Sequence, residues 1–398
     1  MYRLISYLKT NKCELLLAAG AASCLQFVRY SYIPVYLFLL VLFIISFYVY
    51  KPKVKFDILN FVPMSFYVSL ALISLLLLNV SLDKVKAIIG IINAFVFPVI
   101  FYIFLIPCTQ DCILKIEKIW LFLLGIASVV SIFEFLYYIA FKNFRERTIS
   151  IFFNPNTFAF FLVMVYPLVI NKLRDEKSKL LVSFFIFIEI LLTGSRTGFV
   201  VYIFEFLLVN ICLIRKNILK VFLAVAGILT IFLPKILYRI PSLSDVTNPK
   251  TAVGQRVFVI EFVLRYFSHR SLFEGIGAGQ FELFFRKLKA PGIVALHSAH
   301  NLFLNVLIEY GIIGYMSLVF IVYFSVFVSA YNFFKHKEDY DRNILIGFIL
   351  ITIFQMFDMA EITNSRMLLI NMLYAYYLFL PIYRFKRWRA IDGECISI

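Results

Sequence analysis

The sequence predicts an all-α, polytopic integral membrane protein of about twelve transmembrane helices of roughly 20 residues each, with one large polar loop. Three observations carry this reading. Hydrophobic residues make up 62% of the 398 and charged residues only 16%, with a mean hydropathy of +0.91, far from the roughly half-apolar, quarter-charged usage of soluble domains. Apolar runs of span length recur along the chain. One interval between them, 236–301, is much longer and more polar than any other.

Taken in order, the predicted spans are 13–29, 32–50, 58–79, 87–107, 119–141, 157–171, 179–193, 198–214, 217–235, 302–333, 343–358 and 366–383. Residues 1–235 thus form a first set of helices, 236–301 a loop with short helices, and 302–398 the last helices and a tail. The net charge of +16 would suggest nucleic acid in a soluble chain. Here Lys and Arg concentrate on alternate loops once the long interval is set aside, which is the bias of cytoplasmic loops, so no nucleic-acid partner is expected. Both termini are expected to be cytoplasmic and the 236–301 segment to face outward, the periplasmic side in a bacterium. MYRLISYLKTNK is basic, but the apolar run behind it continues into a second span without a clear processing site. Cys13, Cys24, Cys108, Cys112, Cys212 and Cys395 are scattered, with neither a disulfide framework nor zinc spacing.

The long segment is partly helical by pattern: VGQRVFVIEFVLRYFS at 253–268 and GQFELFFRKLK at 279–289 place apolar residues at helical spacing. Pro241, Pro249 and Pro291 punctuate it.

Charge near a bilayer persists where it is solvated, paired or used, so the outward polar residues are the candidates. LLTGSRTGF at 191–199 is a tight turn with Arg196 at its tip. It reads either as an arginine snorkelling to headgroups or as a guanidinium fork matched to phosphate oxygens. Arg256 opens an amphipathic stretch and would equally suit a solvated basic face. Arg147 precedes FFNPNTFAFF at 152–161, where Asn154, Pro155 and Asn156 have the pattern of a helix cap and first turn, with Thr157 following. In HSAHNLFLN at 297–305, His297 and His300 would share a face if helical. No third ligand stands at zinc spacing, so no metal and no cofactor are expected. His300, at the mouth of a predicted span, suits a proton acceptor, or an interface histidine bonded to a backbone carbonyl. GIGAGQF at 275–281 does not open a βαβ unit, and reads as a tight turn with close backbone approach rather than a nucleotide site. Glu134, Glu189, Glu205 and Asp358 fall inside predicted spans, as polar helix contacts or parts of a proton path.

The ordered set SRTG, GQR, GIGAGQF and HNLFLNVLIEYGIIG resembles the O-antigen ligase and polymerase superfamily, most closely between Asn154 and Gly314. For the first 140 residues the resemblance rests on the span count alone. It implies a GT-C-like helical membrane glycosyltransferase, independent of metal, acting at the periplasmic face of the bacterial inner membrane on undecaprenyl-diphosphate-linked oligosaccharides as donor and acceptor. It further implies that Arg196 and Arg256 bind the donor diphosphate, with Arg147 a less specific match, and that His300 is the catalytic base or positions the acceptor hydroxyl; His297 has no motif support. The implied partners are membrane lipid and a regulator of chain length. The NPN and GIGAGQF segments are more like the polymerases than the ligases of the superfamily. A flippase or secondary transporter of the same glycan has a similar number of spans, but no second half here mirrors the long outward segment.

Overall fold

The computed structural model describes residues 57–141, 146–152, 154–237, 248, 251–268, 273–287, 299–358 and 367–391. The predicted spans 13–29 and 32–50, and His297, lie outside them. The described residues hold helices and connecting turns and no strand, as predicted. Among the described residues, five helical stretches are long and apolar enough to cross a membrane: Ile58–Asn79, Lys84–Leu105, Gln110–Phe141, Leu302–His336 and Asp339–Phe357.

Helix α1, Ile58–Leu76, starts where Asp57 accepts a hydrogen bond from the Leu59 amide and pairs with Lys386 at 2.6 Å. Asp83 caps α2, Lys84–Ile91, which runs through a π turn at Ile92–Val96 into α3, Phe97–Leu105. The span predicted from 119 is instead α4, Gln110–Phe141. Lys115 and Lys118 read as loop residues, yet the helix begins before them, because buried Glu117 pairs with Lys172 and accepts from the Tyr340 hydroxyl. The last helix likewise runs to Ile391, beyond the predicted 383. Arg384, buried, bridges Asp341 at 2.8 Å and Glu338 at 2.6 Å, and the Trp388 indole donates to Asp341. Charge that marks a loop in sequence is here paired, and so compatible with continued helix.

Helix α5, Pro155–Ile170, is the hub. Every residue from Thr157 to Ile170 is buried, the all-round burial of a helix surrounded by others. Around it stand α6, Glu176–Thr193; α7, Arg196–Val209; and α13, Asp339–Phe357. Gly347 of α13 makes that approach possible, since a Cβ there would lie 2.8 Å from Pro167. After α7 the chain breaks at Asn210, whose amide donates to the Phe206 carbonyl, and continues as α8, Ile211–Lys216, and α9, Ile218–Leu237. The long polar segment contributes α10, Ala252–Ser268, and α11, Phe281–Lys287, close to the two helical stretches predicted. The chain re-enters through α12, Leu302–His336, and ends in α14, Leu368–Ile391.

Helix α12, predicted as one span, is broken at Gly311, whose φ of 67° and ψ of −169° suit only glycine. Such a break robs the carbonyls one turn earlier of their helical donors. The GIGAGQF segment supplies replacements: the Ile276 amide donates to the Ile308 carbonyl at 3.1 Å and the Gly277 amide to the Glu309 carbonyl at 3.0 Å. Its other side grips the turn between α1 and α2. Gln280 accepts from the Asp83 amide and donates to the Asp83 carbonyl, both at 3.0 Å, and Lys86 pairs with Glu282 at 3.0 Å. The glycine run is therefore a strap between the broken helix and the first hairpin, the close backbone approach expected of it.

Candidate active site

Asn154 starts α5 by accepting from the Asn156 amide at 2.8 Å, with Pro155 at the first helical position, as the NPN pattern predicts. Replacing Asn154 by alanine is expected to lower stability by about 1 kcal/mol, read as an earlier loss of monodisperse protein on heating in detergent. The loop before it is fixed by Glu134, which accepts from the Ile149 amide at 2.8 Å, the Ser150 amide at 2.9 Å and the Tyr138 hydroxyl at 2.7 Å. Of the acidic residues in predicted spans, Glu134 thus holds a loop, while Glu189 and Glu205 are buried within the bundle.

Arg147 sits in that loop. Its Nε donates to the Thr193 carbonyl at 2.7 Å and its Nη2 to the Asn156 side chain. It therefore links the start of α5 to the last carbonyls of α6, where the chain turns through Gly194 at φ 60°. Ser195 then caps α7, accepting from the Gly198 amide, and Arg196 is the exposed first residue of that helix. Gly198 lets α7 start against α5, since a Cβ there would lie 2.8 Å from that of Ala159.

A second group lies at the same end of the bundle, where Phe160 of α5 meets Phe354 of α13 with ring centroids 4.9 Å apart. Helix α13 ends at Asp358, whose carboxylate is buried. One oxygen lies 3.5 Å from Nη2 of Arg256, on the second turn of α10, and the other 3.7 Å from Nδ1 of His300. Two of the residues singled out in sequence, more than forty positions apart, thus share one carboxylate. Asp358 is the site residue the sequence left undecided; its signal was an acid at the end of a predicted apolar span.

His300 is not on a helix. It holds φ 50°, a left-handed conformation uncommon outside glycine, with Asn, Asp and His enriched among the exceptions. Asn301 follows as the cap of α12, accepting from the Leu304 amide at 3.0 Å while its own amide donates to the Met356 carbonyl at 2.8 Å. That clasp fastens His300 to the end of α13 and hence to Asp358. The arrangement offers a half-buried imidazole whose Nδ1 faces a buried carboxylate. It also sets the Arg256 guanidinium beside the same carboxylate, while Arg196 stands apart at the start of α7.

Residues 181–319 match a family model described as O-antigen ligase. The matched stretch runs from α6 through the first half of α12 and includes Arg196, Arg256, the glycine strap and His300. No curated protein matches the chain.

Proposed function

We propose that this protein, whose residues 181–319 match a family model described as O-antigen ligase, is a member of the O-antigen ligase and polymerase superfamily and, within it, a glycan polymerase of the bacterial inner membrane. It moves a growing surface polysaccharide from undecaprenyl diphosphate onto another lipid-linked repeat unit at the periplasmic face. The observation that carries this is the shared carboxylate: Asp358 stands between Arg256, a phosphate-binding type of residue, and His300, a proton-accepting one.

In the transfer, the acceptor hydroxyl oxygen attacks the anomeric carbon of the donor sugar. Its proton passes to Nε2 of His300 while Asp358 holds Nδ1, the division of labour of a histidine oriented by a carboxylate. The 3.7 Å separation is longer than a hydrogen bond, and contacts of this kind tighten when substrate closes the site. The bond from the anomeric carbon to the diphosphate breaks, and the electron pair leaves with the diphosphate. Arg196 and Arg256 stabilise that departing charge, the use of fixed donors aimed at charge that develops in the transition state. Arg147 is a weaker candidate for the same role, because two of its nitrogens are committed to Thr193 and Asn156; its larger contribution is to fix the Arg196 turn. The chemistry calls for no metal ion.

Arg196→Ala is expected to lower chain extension by about 10²–10³-fold, the scale of losing one transition-state charge stabiliser. Arg196→Lys retains part of it, because a lysine keeps the charge but lacks the bidentate fork. The measurement is the polymer length distribution after incubation of purified protein with lipid-linked repeat units in liposomes.

A ligase that moves the finished chain onto lipid A-core is the second reading, favoured by the description of the matching family. A deletion strain separates the two. Loss of a polymerase leaves lipopolysaccharide capped with a single repeat unit, whereas loss of a ligase leaves bare core and accumulated lipid-linked polymer. A transporter would carry lipid-linked repeats across liposome membranes without lengthening them, and that result would overturn both enzyme readings.

A further inference from the structure

Helix α10 has more apolar surface than its packing uses. Val259 and Val263 are buried, and with Phe258, Phe262 and Tyr266 they pack against Phe281 and Phe285 of α11 and the first turns of α12. Yet Val257, Ile260 and Leu264 are 37%, 46% and 68% exposed. At about 100° per residue these three share an arc of roughly 60°, well apart from the packed arc. Glu261 and Arg265, strongly exposed and 4.0 Å apart, occupy a third arc, between the exposed apolar one and Phe258 at the edge of the packed one. A surface helix in water needs one apolar stripe, facing its core. A helix with a protein face, an exposed apolar face and a charged face lies where protein, hydrocarbon and water meet.

The depth of its first turns supports this. Arg256 reaches Asp358 at the end of α13, one of the stretches apolar enough to cross the membrane. Met356 and Phe357, in the last turn of that helix, are themselves exposed apolar residues. The start of α10 is thus held at the level where a lipid-facing helix leaves the bilayer. We propose that α10 is an in-plane interfacial helix whose ligand is the bilayer itself. Val257, Ile260 and Leu264 enter the boundary between acyl chains and headgroups, a depth of about 5–10 Å for such helices, while Glu261 and Arg265 remain among the headgroups. The placement stands on the helix alone and does not depend on the glycan chemistry proposed above.

The test is electron paramagnetic resonance on full-length protein in liposomes of phosphatidylethanolamine and phosphatidylglycerol. The six native cysteines are replaced by serine, and a nitroxide is attached to a single cysteine at 257, 260, 261, 264 or 265. Collision with dissolved oxygen is expected to exceed collision with a water-soluble nickel chelate several-fold at 257, 260 and 264, and the order to reverse at 261 and 265. Nickel collisions equal to or above oxygen at 257, 260 and 264 would put that face in water and overturn the proposal. Low collision with both would mean that a second copy or a protein partner covers it, and would overturn it equally. Leu264→Trp with the native cysteines retained is an independent check: lipids brominated near the headgroup should quench its added fluorescence, and no quenching counts against the interfacial placement. Neither readout requires transfer activity, so an α10 with this interfacial collision pattern in a protein that transfers no glycan would refute the enzyme reading alone.

Discussion

Replacing His300 by alanine is expected to lower glycan transfer by about 10²–10⁴-fold, the usual contribution of a positioned acid–base group, while yield and membrane insertion remain those of the parent protein. The second half of this expectation follows from where the residue stands. His300 is half-buried, ahead of the cap of α12, and the cap itself is made by Asn301, so the start of that helix is held by the neighbouring residue. Asp358 distinguishes a proton acceptor from a residue that only fills space. If the carboxylate acts by orienting His300 and holding Arg256, Asp358→Asn should lower kcat more than it raises KM, and its effect should not add to that of His300→Ala. In a double-mutant cycle the pair would show a coupling of about 0.5–3 kcal/mol, typical of residues in one network. Additive losses, or full activity in the His300 variant, would remove the histidine from the mechanism.

The residues that the sequence brought forward and those it left undecided differ in a physical way. Arg196, Arg256 and His300 were legible because each is a polar side chain at the border of an apolar run, where a charge calls for a use. The NPN cap and the helical stretches of the long polar segment were legible because caps and periodicity are local. Asp358 was visible as an acid in a span, but not as the partner of Arg256 and His300, since that pairing joins three elements far apart in the chain. The break in α12 was hidden for a related reason. Gly311 lies in a continuous apolar run, and a glycine within a helix is tolerated often enough to give no signal. What permits the break is the amide groups of Ile276 and Gly277, more than thirty residues earlier. The charged ends of α4 and α14 misled in the opposite direction, because Lys115, Lys118 and Arg384 look like loop residues until Glu117 is seen as a buried, paired acid of α4 and Asp341, in the first turn of α13, as the buried partner of Arg384.

The strap leads to the prediction with the largest expected structural effect, at Gly275. A Cβ on this residue would lie 2.4 Å from the Glu309 carbonyl oxygen and 2.9 Å from its carbon. Both are backbone atoms, and no side-chain rotation can relieve such a contact. Gly275→Ala should therefore lift the strap from α12 and leave the carbonyls of Ile308 and Glu309 without the Ile276 and Gly277 amides. A buried polar group deprived of its partner costs about 1–3 kcal/mol, so the two together predict a loss of roughly 2–6 kcal/mol, read as a lower unfolding temperature in detergent. The same glycine-to-alanine change at Gly125 is the control. There a Cβ meets nothing within 4 Å, and in mid-helix alanine should be about 1 kcal/mol more favourable than glycine. The strap also bears on the chemistry, because the half-helix it caps, Leu302–Tyr310, follows directly on His300 and Asn301. Gln280→Ala removes the grip on Asp83 without introducing a clash, and should weaken transfer more than it weakens folding if the strap sets the position of His300. Equal losses in both would make the strap a fastening of the fold alone.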